Sequence, residues 1–212
     1  MKKILLMTVL AVLLGISTLN AAPVFYNTGV DDSFNQLVGG SSDTHYTLAP
    51  AGGSASAAIA MDSGITWPQW IKPADARWIY NADAEDSGAR GWYEYTTKFD
   101  LTGYNPTTAA LSFLCALDQY GSIYLNSNLV TNLNDGNWNE NLTLIQITSF
   151  FVSGINTMTF DVYFPDGGDG MVVSGAKLSA DAVPTGVPEP ATMLLLGFGL
   201  MGLAGVRRKI KK

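Results

Sequence analysis

Positive charge is scarce in this chain once its two ends are set aside. Residues 22–187 hold five Lys and Arg against seventeen Asp and Glu, a net charge of −12. A body this acidic repels phosphate backbones, so nucleic-acid binding by charge is excluded. It should be soluble, and it attracts divalent cations rather than anionic surfaces. Cysteine and histidine are also scarce, with one of each. The lone Cys115 excludes an intrachain disulfide. The lone His45, in "DTHY" and far in sequence from Cys115, leaves no base–nucleophile pair for serine- or cysteine-type catalysis. It also leaves too few nitrogen and sulfur ligands for zinc. No glycine-rich phosphate loop of the P-loop or dinucleotide type occurs. Helical periodicity is sparse in the body, and long apolar runs occur only at the two ends.

Two-residue alternation is abundant instead. In "GWYEYTTKFDL", Tyr93, Tyr95, Thr97, Phe99 and Leu101 share one face, and Trp92, Glu94, Thr96, Lys98 and Asp100 share the other. That pattern predicts a strand with one wet side. "AALSFLCALD" is apolar on both faces and predicts a central, covered strand. Cys115 falls in step with Leu111, Phe113 and Leu117, as a buried, inert thiol. "GSIYLNSNLV" reads as a hairpin turning at Asn126-Ser127-Asn128. "INTMTFDVYF" places Met158, Phe160, Val162 and Phe164 on one face and ends at Pro165-Asp166-Gly167-Gly168. "GMVVSGAKLSA" supplies a closing strand, and "PVFYNTGV", "HYTLAP", "SAAIAM" and "ARWIYN" have strand character. One or two helical turns are expected near Leu142 to Ser149. The expectation is all-β: a jelly-roll β-sandwich of about nine short strands over residues 22–180. Residues 181–187 read as a linker.

The ends carry a different message. Met1-Lys2-Lys3 followed by the apolar Ile4–Leu14 and then Ala21-Ala22-Pro23 has the form of a signal peptide over residues 1–21. Cleavage is expected after Ala21, because the alternative would leave Pro23 as the first mature residue. At the other end, Ala191 to Val206 is sixteen residues without a charge, followed by Arg207, Arg208, Lys209, Lys211 and Lys212. As a helix it would span about 24 Å, slightly short of a ~30 Å hydrocarbon core. The basic tip favours retention on the cytoplasmic side, as in a stop-transfer segment. The body is thus expected between an N-terminal signal-peptide helix and a C-terminal hydrophobic helix.

Val187-Pro188-Glu189-Pro190, then Ala191-Thr192, a glycine-containing apolar stretch and Arg207-Arg208-Lys209 resemble a PEP-CTERM sorting signal over residues 188–212. The resemblance implies recognition by an exosortase of the inner membrane, cleavage near Pro188, Glu189 and Pro190, and delivery to the cell surface, outer envelope or extracellular matrix. It implies a substrate site there, not a catalytic one, in a cell that makes exopolysaccharide. The body has its own resemblance. "WIKP" (70–73), "YEYTTKFDLTGY" (93–104), "LDQYGSIYLNSNLV" (117–130) and "FFVSGINTMTFDV" (150–162) together resemble galactose-binding-like jelly rolls. This sequence departs from that pattern in having Ser127 where such hairpins commonly carry Gly, so a left-handed turn is expected to lean on Asn128.

Five Trp, nine Tyr and nine Phe are the remaining resource. Sugar rings stack their C–H faces on such side chains while Asn, Asp and Glu hold their hydroxyls. Trp138 in "NDGNWNEN", flanked by Asn137, Asn139 and Glu140, is the first candidate; Trp92, on the wet face of its strand, is the second. The competing reading packs these rings over the core, as for Trp67 and Trp70 around Pro68. "DQYG" and "PDGGDG" offer Asp118, Asp166 and Asp169 as hard oxygen ligands for a structural calcium, or simply as turn residues. Glu85, Asp86, Glu94, Asp118 and Glu140 are carboxylates of the type glycosidases use, with nothing in sequence to pair them. The sequence therefore favours a non-catalytic exported protein that associates with exopolysaccharide. A structural coat protein without a sugar site and a small glycoside hydrolase are the alternatives.

Overall fold

In the computed structural model, residues 21–62, 70–80, 90–133, 141–164, 170–184 and 195–200 are described. The signal-peptide residues, Trp67, the Glu85-Asp86 loop, the Pro188-Glu189-Pro190 motif and the basic tip lie outside the described residues. The chain divides into two compact units, Met1–Ala182 and Val183–Lys212. Of the second unit, residues 195–200 are helical, with Leu195, Leu196, Phe198 and Leu200 exposed. No helix among the described residues is long and apolar enough to cross a membrane.

The first unit is all-β. Its strands are β1 (Ser42–Pro50), β2 (Ser56–Ala60), β3 (Ile79–Tyr80), β4 (Gly91–Asp100), β5 (Ala110–Leu117), β6 (Tyr120–Leu125), β7 (Asn128–Leu133), β8 (Thr143–Ile147), β9 (Ile155–Phe164) and β10 (Gly170–Ser179). They join in one antiparallel, nearly closed sheet ordered β7-β6-β9-β4-β1-β2-β3-β10-β5-β8. The sheet folds on itself, and its two halves meet through one core. Phe113 of β5 contacts Phe160 of β9 edge-to-face at 5.9 Å, and Phe25 stacks on Phe113 at 5.8 Å. The alternating apolar residues of β4, β5, β6 and β9 all enter that core, where Cys115 is fully buried. Burial pushes the Cys115 thiol far above its ordinary value, so it stays protonated and inert. A smaller cluster, Met61, Trp70, Ala76, Trp78, Tyr80, Ala116 and Val172, lies apart from the main core and includes residues of β5 and β10. Trp70 and Trp78 pack there at 4.3 Å, so these two rings build structure.

Three local expectations are corrected. Residues 143–147 form strand β8 on the edge of β5, with Leu111 opposite Ile147 and Phe113 opposite Ile145. There is no helical turn: "TLIQI" alternates, burying Ile145 and Ile147 and exposing Leu144. The "PVFYNTGV" segment forms no strand: it turns at Thr28-Gly29, and Val30 makes only an isolated bridge to Gln36. Thr28 stands in for a ladder rung, its hydroxyl accepting from the Val173 amide at 3.0 Å while its own amide donates to the Val173 carbonyl at 3.0 Å. The β6–β7 turn leans on Asn126 and Ser127, not on Asn128. Both have positive φ, 50° and 65°. Asn126 accounts for this: its Nδ2 donates to Phe150 O and Asn156 Oδ1, each at 2.8 Å, and its Oδ1 accepts from the Thr157 amide at 2.9 Å. Clamped there, the chain carries Ser127 through the turn, and Asn128 supports it by donating to the Asn126 carbonyl at 2.9 Å.

Candidate functional site

The outward faces of β6, β9 and β4 stand side by side, because β9 pairs with both neighbours. Register then dictates which side chains meet. Trp92 is opposite Tyr163, and Tyr163 is opposite Tyr120. Their rings form one triangular cluster: Trp92 to Tyr163 at 5.4 Å, Tyr163 to Tyr120 at 5.0 Å and near-parallel, and Trp92 to Tyr120 at 5.8 Å. Trp92 is 44% and Tyr120 39% exposed, a high value for rings that large. These rings do not fill the core; they make a platform.

One step along each strand, on the same face, comes a polar rung. Glu94 is opposite Asp161, and Asp161 is opposite Ser122. Ser122 Oγ donates to Asn132 Oδ1 of β7 at 2.8 Å, and Thr96 Oγ1 donates to Glu94 at 3.2 Å. Asp161 is held above the ordinary carboxylate range, first by its partial burial and then by the negative charge of Glu94. The next rung is Tyr124, Thr159 and Thr96. The face thus offers an aromatic strip beside a strip of hydroxyl, amide and carboxylate groups. That arrangement suits a ligand with an apolar C–H face and a polar edge. The close approach of β6 and β9 here needs Gly121: a Cβ on it would overlap the Asp161 carbonyl and stand 2.8 Å from Leu117 Cδ1.

Of the residues singled out in sequence, the fold brings Trp92 and Glu94 to this face. Trp138, Asn137, Asn139 and Glu140 lie outside the described residues, as do Asp166 and Asp169. Asp118 is buried at the end of β5, where its amide donates to the Gly170 carbonyl at 3.0 Å. Among the described residues no group of three or more His, Cys, Asp or Glu assembles. His45 stacks on Tyr26 at 3.6 Å, and its Nε2 has no hydrogen-bond partner, with Asp32 Oδ1 3.4 Å away. Tyr120, Tyr163 and Asp161 were missed in sequence. Their signal was present: if Phe160, Val162 and Phe164 point inward, Asp161 and Tyr163 must point out.

Comparison with known proteins adds the following. Residues 186–209 match the PEP-CTERM protein-sorting motif. The chain therefore carries the mark of an exported protein sorted through an exosortase, with a membrane-associated C-terminal signal. No curated protein matches the chain. Among solved structures, a family 35 carbohydrate binding module from an environmental isolate is similar at 11% identity and a TM-score of 0.34, over 80% of this chain and 96% of that one. The GH31 alpha-xylosidase of Xanthomonas citri is similar at 13% identity and a TM-score of 0.30, over 77% of this chain and 19% of that one. Both scores lie below 0.5, too low to carry fold or function from one chain to the other.

Proposed function

We propose that this is a non-catalytic cell-surface or biofilm-matrix protein that holds exopolysaccharide on the Trp92–Tyr163–Tyr120 face. The observation that carries the reading is the outward three-ring cluster, with Trp92 and Tyr120 exposed and Ser122, Asp161 and Glu94 on the adjoining rung. Sugar residues lie with their C–H faces on the rings, and their hydroxyls donate to the carboxylates.

Chain connectivity supports the same reading. The stretches 81–89, 134–140 and 165–169 join the body beside Gly91, Leu133 and Phe164. Gly91 is opposite Phe164, and Leu133 is opposite Gly121, so all three attach at the aromatic end. Trp138, with Asn137, Asn139 and Glu140, is the second contact in this reading, five residues after Leu133 in the sequence. Hydrolysis is disfavoured because Glu94 and Asp161 stand side by side on one face. Glycosidase carboxyls flank the scissile bond from two sides.

The test is calorimetric titration of the full-length chain, in a detergent without a sugar headgroup, with purified exopolysaccharide from the producing cells. Saturable binding that Trp92→Ala and Tyr163→Ala each weaken supports the reading. A folded chain that binds nothing, with and without calcium, overturns it and leaves a structural coat protein.

A further inference from the structure

The end of the body opposite the aromatic cluster presents a different surface. From Trp92 to Asp100, β4 runs eight residues, about 26 Å at ~3.3 Å each. Ile155 is opposite Asp100, and the Leu101 amide donates to the Gly154 carbonyl at 2.9 Å. Among the described residues, Phe150, Val152 and Ile155 expose apolar side chains around this end, at 46%, 45% and 57%. Between them Phe151 turns inward, 6.2 Å from Phe99. The exposure is enforced. Phe150 is held at φ 70°, a costly conformation for an aromatic residue, and Asn126 grips its carbonyl. Asn156 ties Val152 at both backbone groups, accepting from its amide at 2.9 Å and donating to its carbonyl at 2.8 Å. Backbone strain of this kind persists only where its surroundings over-determine it.

The chain also enters and leaves the body here. The Tyr104 amide donates to the Leu101 carbonyl at 2.9 Å, and Tyr104 bridges Ala182. The Asn105 amide donates to the Asp181 carbonyl at 2.8 Å, and the Tyr104 hydroxyl donates to the Ala21 carbonyl. Past Ala182, eight residues separate the body from the uncharged run 191–206 of the sorting signal. Fully extended, they reach at most about 28 Å. The apolar tip and the exit point share one end, and a short tether joins that end to a membrane-associated segment.

We propose that Phe150, Val152 and Ile155 form a lipid-contacting tip that rests on the bilayer interface while the sorting signal is held there, so that the aromatic cluster faces away from the membrane. Interfacial apolar groups sit ~5–10 Å into the headgroup boundary. The charge pattern selects the lipid. The body is strongly acidic, and Asp100 and Asp181 are exposed at this end, so the contact is with zwitterionic rather than anionic lipid. The inference does not depend on sugar binding.

Full-length V152C, I155C and A51C chains, each labelled with an environment-sensitive fluorophore, test it in phosphatidylcholine vesicles containing doxyl-labelled lipid. Cys115 is buried and escapes labelling. Ala51 marks the aromatic end, its amide donating to the Trp92 carbonyl at 2.9 Å. Only chain that floats with the vesicles is read. The expected result is emission shifted to the blue and quenched several-fold more strongly at 152 and 155 than at 51. Equal quenching at all three positions overturns the proposal. So does a blue shift at 152 and 155 without lipid quenching, which would mean that a second protein surface covers the tip.

Discussion

Tyr120 and Tyr163 lie directly opposite each other on neighbouring strands, with their rings stacked at 5.0 Å and 18°. Trp92 meets both rings edge-on and completes a triangular cluster on the solvent side of the sheet. Each ring buttresses the next, so little side-chain freedom remains for a ligand to remove.

Trp92→Ala should therefore act on binding more than on folding. An exposed ring contributes little to the core, and a lost stacking partner is worth about 0.5–1.5 kcal/mol. That is roughly two- to tenfold in affinity. Titration of the variant beside the parent chain, with thermal melts of both, separates the two effects. A variant that melts much earlier and binds unchanged would make Trp92 a structural residue.

The Glu94–Asp161 pair should give the protein a pH signature. Asp161 holds its proton more tightly folded than unfolded. Between its unfolded and its raised folded value the native state carries more protons, so this group's contribution to stability falls as pH rises through that window. Asp31 and Asp100 act the other way. Hydrogen bonds from the Asn35 amide and from Thr102 hold them below the ordinary range, so their contribution is lost as pH falls through their folded values. Glu94→Gln removes a negative neighbour and should lower the Asp161 titration toward its ordinary value, with burial still keeping it raised. Carboxyl-carbon NMR of Asp161 measures this; an unmoved titration would mean the two charges do not interact.

Gly121→Ala should damage the platform from below. Its added methyl overlaps the Asp161 carbonyl, so β6 and β9 must separate just where Tyr120 and Tyr163 stack. Overpacking of this kind costs about 1–3 kcal/mol. Urea denaturation reads the loss, and tyrosine fluorescence reads the disturbed pair.

Much of this fold was legible because alternation is local. The inward set Tyr93, Tyr95, Phe99 and the outward set Trp92, Glu94, Lys98 follow from β4 alone. The strand order was not legible, since β4 finds β9 more than fifty residues away. Without that neighbour, Trp92 is one exposed ring; with it, Trp92 is part of a three-ring cluster. Strand β8 was misread for a related reason: five residues are too few to declare a period, and pairing with β5 decides their conformation.

Ser127→Gly should stabilise the protein. Ser127 sits at φ 65°, where a side chain strains and glycine does not. Asn126 stays clamped to Phe150 and Asn156, so the turn keeps its anchor. The expected gain is about 0.5–1 kcal/mol, read as a higher urea midpoint at unchanged slope. A loss would show that the Ser127 side chain contributes something the turn geometry does not require.

The sorting motif gives the last prediction. Residues 186–209 are the part of the chain an exosortase reads, and Pro188-Glu189-Pro190 lies at the head of that match. The body ends at Ala182, so the motif follows after only five residues. Replacing all three motif residues with Ala leaves the apolar run and the basic tip intact. Export should proceed unchanged, but the chain should stay in the membrane fraction with its tail uncut. Intact mass of the cell-associated and released protein, in cells with and without an exosortase, decides it. A triple variant released and shortened like the parent would place the processing signal elsewhere in the tail.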